Sequence, residues 1–239
     1  MRPGLSRLPA IAAVLLLPAL EIRAESRFEK VLKLSPGGSF RLDTDMGSVT
    51  VTGTAAPDVR LIVTGRRDPQ DLLRFQFDQA PGSVTVSARR KHRISWLGDG
   101  GRVHYEIQVP AETSLDIDTS GGGISIAATR SRAKLDTSGG GITVRDLVGD
   151  LEADTSGGSI DLADIRGRMR VETSGGGIEV AIDPEVGLEI DARGNDVKTE
   201  IPVRVVGEIS RTSLRGSLGK GGAPLHLRTS GGGVTIRGL

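Results

Sequence analysis

Four stretches of this chain set hydroxyl side chains beside a carboxylate and two glycines. They are Asp118-Thr119-Ser120-Gly121-Gly122, Asp136-Thr137-Ser138-Gly139-Gly140, Asp154-Thr155-Ser156-Gly157-Gly158 and Glu172-Thr173-Ser174-Gly175-Gly176, and Arg228-Thr229-Ser230-Gly231-Gly232 is a fifth with arginine in first place. Thr-Ser-Gly-Gly has the look of a serine nucleophile's surroundings, and Asp-Thr-Ser-Gly that of an aspartic protease. A nucleophile, however, needs one activated copy with a base and an orienting group in reach. Here the motif recurs in step, so each serine reads as a turn residue. The three histidines, His92, His104 and His226, stand on unrelated segments, and metal-type histidine spacing is absent. Gly216-Ser217-Leu218-Gly219-Lys220-Gly221 is glycine-rich but lacks the Lys-Ser/Thr ending of a phosphate-binding loop.

The carboxylates raise two further chemistries. Acid–base pairs working on polysaccharides must be pushed apart in pKa, whereas a regular ladder gives every carboxylate the same surroundings. Asp118, Asp136 and Asp154 could line up oxygens for calcium, but the nine-residue calcium-repeat pattern is missing. The expectation is a protein without catalytic residues, cofactor or metal.

The spacing says what positions these residues. Thr119, Thr137, Thr155 and Thr173 are 18 residues apart, and Asp43-Thr44-Asp45-Met46-Gly47 and Asp191-Ala192-Arg193-Gly194 are degenerate copies. Apolar residues hold fixed columns around the threonine: Leu115, Ala133, Leu151, Met169 and Leu225 four before it, and Ile124, Ile142, Ile160, Ile178 and Val234 five after it. Within each copy they alternate with polar residues, the period of a strand with one buried face. Each copy is strand, glycine turn, strand and return loop, and helix should be scarce. Equivalent residues at a constant offset stack like on like. The expected fold is therefore all-β: a β-solenoid, single-stranded and β-helix-like, with 18-residue coils. The threonines should form a buried ladder, and the glycines should allow positive φ at the corners and let successive backbones pass closely.

Residues 25–112 read as an irregular, β-rich N-terminal cap continuous with a repeat region at 113–239. All six aromatics, Phe28, Phe40, Phe75, Phe77, Trp96 and Tyr105, precede the regular copies. The last copy has little after it, which makes that end a candidate edge for end-to-end self-association. Outward columns carry charge: Asp118, Asp136, Asp154 and Glu172 form an acidic file, and Arg89-Arg90-Lys91-His92-Arg93 is the strongest basic cluster. As structure these are a solvated face and a loop. As function, Arg89, Arg90, Lys91 and Arg93 could grip an anionic polymer or a membrane surface, and the acidic file a partner.

Residues 1–24 combine Arg2 and Arg7, an apolar run from Ile11 to Leu17, and Ala24 before a cut, the pattern of a cleavable signal peptide too short to span a bilayer. Cleavage would remove three arginines and one glutamate from 31 basic and 30 acidic residues, leaving a net charge of −1. That is no footprint for nucleic acid, and no later stretch is apolar enough to cross a membrane. Cysteine is absent, so no disulfide holds the fold.

The Gly47-Ser48-Val49-Thr50-Val51 element, the Tyr105-to-Pro110 strand and the tandem Thr-Ser-Gly-Gly-Gly-Ile copies together resemble the DUF4097 family, over roughly residues 40–239. Members carry an adhesin label that is itself inferred. The resemblance implies a β-helix-like fold at the bacterial cell envelope, periplasmic or on the cell surface, and brings no catalytic residues. The sequence departs from a common family form in having glycine where Asp or Asn often follows the glycine pair, which weakens cation binding there. The expected function is binding or adhesion to an envelope polymer or protein, with a structural or stress-signalling envelope module as the alternative and a polysaccharide-active enzyme behind both.

Overall fold

Alternating aliphatic and polar residues commit the chain to strands. The computed structural model, which describes residues 25–91, 102–205 and 209–239, is all-β apart from one short helical turn. The signal-peptide segment, His92, Arg93 and Trp96 lie outside the described residues.

The N-terminal part runs β1 (Ser26–Lys33), β2 (Ser39–Thr44), β3 (Ser48–Thr54), β4 (Asp58–Gly65), α1 (Pro69–Leu72), β5 (Leu73–Ala80), β6 (Ser83–Arg90) and β7 (Val103–Pro110). The repeats supply β8 (Ser114–Thr119), β9 (Ile124–Thr129), β10 (Ala133–Thr137), β11 (Ile142–Val148), β12 (Leu151–Thr155), β13 (Ile160–Arg166), β14 (Met169–Thr173) and β15 (Ile178–Ile182). The last part holds β16 (Leu188–Arg193), β17 (Val197–Thr199), β18 (Arg204–Val205), β19 (Ser213–Leu218), β20 (Ala223–Thr229) and β21 (Val234–Gly238).

These strands form two large, open, mostly parallel sheets. One has the order β1-β4-β7-β3-β9-β11-β13-β15-β21-β17, the other β18-β19-β16-β20-β14-β12-β10-β8-β2-β6-β5. From β8 to β15 the chain alternates between the sheets and advances one position each time, so a rung is one strand in each sheet joined by a glycine corner. The register matches the period: Thr44, Thr119, Thr137, Thr155, Thr173 and Thr229 pair in one unbroken file. Inward side chains of the two sheets meet in an aliphatic core, with Ile117, Leu135, Val171, Val144 and Ile160 fully buried. Small Ala133 and Ala153 occupy the columns held elsewhere by leucine, methionine, isoleucine or valine. At the N-terminal end the core turns aromatic: Phe28 of β1 meets Phe75 of β5 edge-on at 4.8 Å, and Tyr105 is buried beside them.

Rung order departs from chain order at both ends. The rung β2–β3 sits between β6–β7 and β8–β9, and β20–β21 sits between β14–β15 and β16–β17. The last Thr-Ser-Gly-Gly copy therefore stacks directly on the fourth, and the degenerate copy at Asp191 lies outside it. This corrects the expectation that the final copy forms an open docking edge: β21 is flanked by β15 and β17, and the edges at that end are β17 and β18. Antiparallel strands finish the stack, β1, β4 and β5 at one end and β18 and β19 at the other.

Of the two roles expected of the repeat glycines, close passage of backbones is found and positive φ is not. None of the Thr-Ser-Gly-Gly glycines has positive φ. Left-handed backbone instead recurs at the end of the other sheet's strands, in Ala128, Asp146 and Asp164, each 18 residues from the next, and in Gly149 and Gly167 that follow. The fourth rung lacks this bend, and there the chain leaves the stack.

Candidate functional site

The threonine-glycine corner is where rungs grip one another. Thr137 Oγ1 donates to the carbonyl of Gly122 at 2.7 Å, Thr155 Oγ1 to Gly140, Thr173 Oγ1 to Gly158 and Thr229 Oγ1 to Gly176, each one rung back in the stack. Each hydroxyl also accepts from the glycine amide three residues on, as Gly158 N–H does to Thr155 at 3.3 Å. The buried hydroxyls are thus satisfied across and within rungs. Closeness explains the second glycine. A Cβ on Gly140 would lie 2.2 Å from the backbone of Gly122, and one on Gly158 2.1 Å from the carbonyl oxygen of Gly140. Ser120, Ser138, Ser156, Ser174 and Ser230 lie exposed at these corners.

The acidic file is real and longer than its repeats suggest. Asp43, Asp118, Asp136, Asp154 and Glu172 are consecutive cross-strand neighbours, ended by Arg228. Arg89 neutralises Asp43, and Arg170 neutralises Glu172 at 2.6 Å. No ion pair among the described residues reaches Asp118, Asp136 or Asp154. Partial burial, then neighbouring carboxylates, push all three above the usual aspartate range. Among the described residues no three such groups converge as a metal ion requires. Two residues along the same strands, Arg41, Asp116, Lys134, Glu152, Arg170 and His226 form a file of mostly alternating sign, continued by Asp191 and Arg215. Arg41 and Asp116 pair there at 2.7 Å.

The described part of the basic cluster, Arg89, Arg90 and Lys91, lies at the end of β6, where Arg90 lines a concavity together with Gly121 and Gly122 of the first repeat corner. Arg89 and Arg90 end β6 as strand residues, not as a loop. Arg89 pairs with Asp43 and Asp45, and the Arg90 amide donates to Asp45 at 2.9 Å. These contacts hold the Asp45 carboxyl below its ordinary value despite partial burial. The Lys91 amide donates to the Leu72 carbonyl, and its side chain is exposed.

Pairing of β3 with β7 also creates a contact that residue spacing did not reveal: Ser48 Oγ and His104 Nδ1 share a hydrogen bond of 2.9 Å. Among the described residues no carboxylate hydrogen-bonds to that ring, so the pair lacks the orienting third group. Only the 56-residue jump in strand order brings the two together. A few residues away, Thr44 Oγ1 and the buried Tyr105 hydroxyl lie 2.8 Å apart, and burial pushes the tyrosine well above its ordinary pKa.

Among the described residues no helix is long and apolar enough to cross a membrane. No protein-family model matches the chain, and neither does any curated protein. Solved structures do. A provisionally named cell adhesion protein from Clostridium sporogenes superposes with a TM-score of 0.55 at 13% identity, covering 90% of this chain and 100% of its own. A provisionally named adhesin from Bacteroides fragilis gives a TM-score of 0.43 at 10% identity, over 91% and 99%. A provisionally named lipid binding protein from Parabacteroides distasonis gives 0.29 at 13% identity, over 90% and 97%. At such identities the likeness is one of fold, and it rests on the Clostridium protein.

Proposed function

We propose that this protein is an exported, non-catalytic β-solenoid of the bacterial cell envelope, of the DUF4097 type, whose rod presents a surface for binding or adhesion. The in-register stack carries the reading. Each hydroxyl and carboxylate of the repeat recurs in nearly the same surroundings from rung to rung, which multiplies contact surface and singles out no residue for chemistry. The adhesion names given to neighbours of the same fold support it, as do the basic and apolar runs of residues 1–24.

The test is expression of the tagged chain in a bacterial host, envelope fractionation and N-terminal sequencing, followed by retention of envelope polymers on the purified protein. The expected product begins at Glu25, fractionates with the envelope and retains at least one polymer. A cytosolic product with Met1 intact would remove the export reading. Ester or glycoside hydrolysis that disappears in Ser48→Ala would remove the non-catalytic one.

A further inference from the structure

A concavity opens where the first glycine corner of the repeat meets the N-terminal rungs. This groove, of about 640 Å³, is lined by Arg66, Arg90, Arg102 and His104, with Glu25 the one carboxylate on its wall among the described residues. Its floor is Gly47 and the Gly121-Gly122 corner, where side chains are absent.

Two features of the chain assemble it. Gly65 at the end of β4 pairs with Val103 at the start of β7, which brings the residues that flank this last pair, Arg66 and Arg102, to the same groove. Arg90 comes from the other sheet, at the end of β6, and closes the groove from across the corner. Of the nearby carboxylates, Asp43 pairs with Arg89, Asp45 with Arg89 and the Arg90 amide, and Asp68 accepts from the Gln70 amide at the start of α1. Among the described residues neither Arg66 nor Arg102 has a hydrogen-bond or ion-pair partner. Three guanidiniums around one concavity focus a positive potential into it, although the chain without residues 1–24 is close to neutral.

We infer that this groove is a binding site for an anionic polysaccharide, held through its carboxylate or phosphate groups. Guanidinium is the side chain suited to both, because its planar fork donates two parallel hydrogen bonds to either oxyanion. The groove is open and far larger than a single anion, which suits a segment of polymer. A membrane-docking patch would set apolar side chains beside the basic ones, and none of the exposed large hydrophobics, Val31, Val148, Val205, Ile209 and Leu239, lines this groove. The inference rests on the binding reading above and assigns it a place and a chemistry.

The purified protein is tested against immobilised polygalacturonate, phosphorylated dextran, neutral dextran and phosphatidylglycerol vesicles. Saturable, salt-sensitive binding is expected to one of the two anionic polymers and not to dextran. The double variant Arg66→Ser/Arg102→Ser should melt like the parent and raise Kd about tenfold or more, with a shallower salt dependence. Arg130→Ser/Arg145→Ser, an equal loss of charge away from the groove, should stay within about twofold of the parent, as expected for screened surface charges. Equal weakening by both double variants would reduce the effect to net charge and overturn the site. A parent that binds polymer while the groove variant binds as well would remove the groove and leave the binding reading standing. Binding to vesicles alone would replace the polysaccharide with a lipid surface, and silence on all four surfaces would count against both readings.

Discussion

At a single glycine corner, two adjacent residues of the same type face opposite constraints. A Cβ on Gly139 would find its nearest atom at 3.9 Å, ordinary contact, whereas one on Gly140 would drive into the Gly122 backbone. Gly140→Ala should therefore destabilise by about 2–3 kcal/mol, the scale of overpacking against atoms that cannot move aside. Gly139→Ala should change stability by less than about 0.5 kcal/mol. Paired thermal melts decide it, and equal losses would mean that the corner's close approach is not what selects glycine. Another residue invites improvement. Thr129 is buried in the column of Leu147 and Ile165, and its hydroxyl has no partner. Thr129→Val keeps the shape and removes the orphaned group, which should stabilise by about 1 kcal/mol. A lower melting temperature would show that the hydroxyl is satisfied in solution.

Along a strand the relevant unit is the file of neighbours it joins. Asp118, Asp136 and Asp154 ionise less readily in the folded chain than in the unfolded one, because burial and adjacent carboxylates oppose the charge. Their contribution to stability is full below the unfolded carboxylate range, about pH 4, and is lost as pH rises through their raised folded values. Asp45 and Asp150 act in the opposite sense. Contacts from Arg89, Arg90 and Arg168 hold these carboxyls low, so their contribution is present at neutral pH and lost on acidification. Asp136→Asn should accordingly stabilise the protein at pH 7 by about 0.5 kcal/mol, the scale of a relieved cross-strand like-charge pair. The gain should shrink toward zero below about pH 4, where the wild-type group is itself protonated. Chemical denaturation of both proteins at pH 7 and pH 4 tests this, and a gain independent of pH would assign it to something other than charge.

Over the whole molecule, the two interleaved rungs tie distant parts of the chain together. Strand β20 lies between β14 and β16, and β21 between β15 and β17, so residues 223–239 bridge the repeats to the closing strands. Removing them should release more than one rung: amide protection should fall across residues 188–218 while residues 114–166 keep theirs. Hydrogen exchange on the truncated chain reads this directly. Retained protection over 188–218 would mean that β16 had closed onto β14, and the bridging role would fall. The same interleaving at the other end joins Asp43 to Asp118 across 75 residues, so both ends of the stack should form late relative to its middle.

The period of 18, the buried columns and the outward acidic file were legible before any coordinates. A period-2 alternation states which face of a strand is buried, and near-identical copies leave in-register stacking as the arrangement that puts every like residue on its like. Close passage of successive backbones at the glycines was legible too; that it falls on the second glycine of each pair was not, because that depends on where the next rung runs. Nor was the order of rungs at either end. The open edge of a parallel sheet accepts any strand of matching pattern, and which one occupies it is decided by how the remaining edges can be closed. That choice puts Ser48 against His104, and the antiparallel pairing of β4 with β7 brings Arg66 and Arg102 to one groove. Sequence alone determined the repeat and its inside and outside; tertiary structure alone decided the neighbours of the end rungs, because local pattern encodes a strand's faces and not its partner.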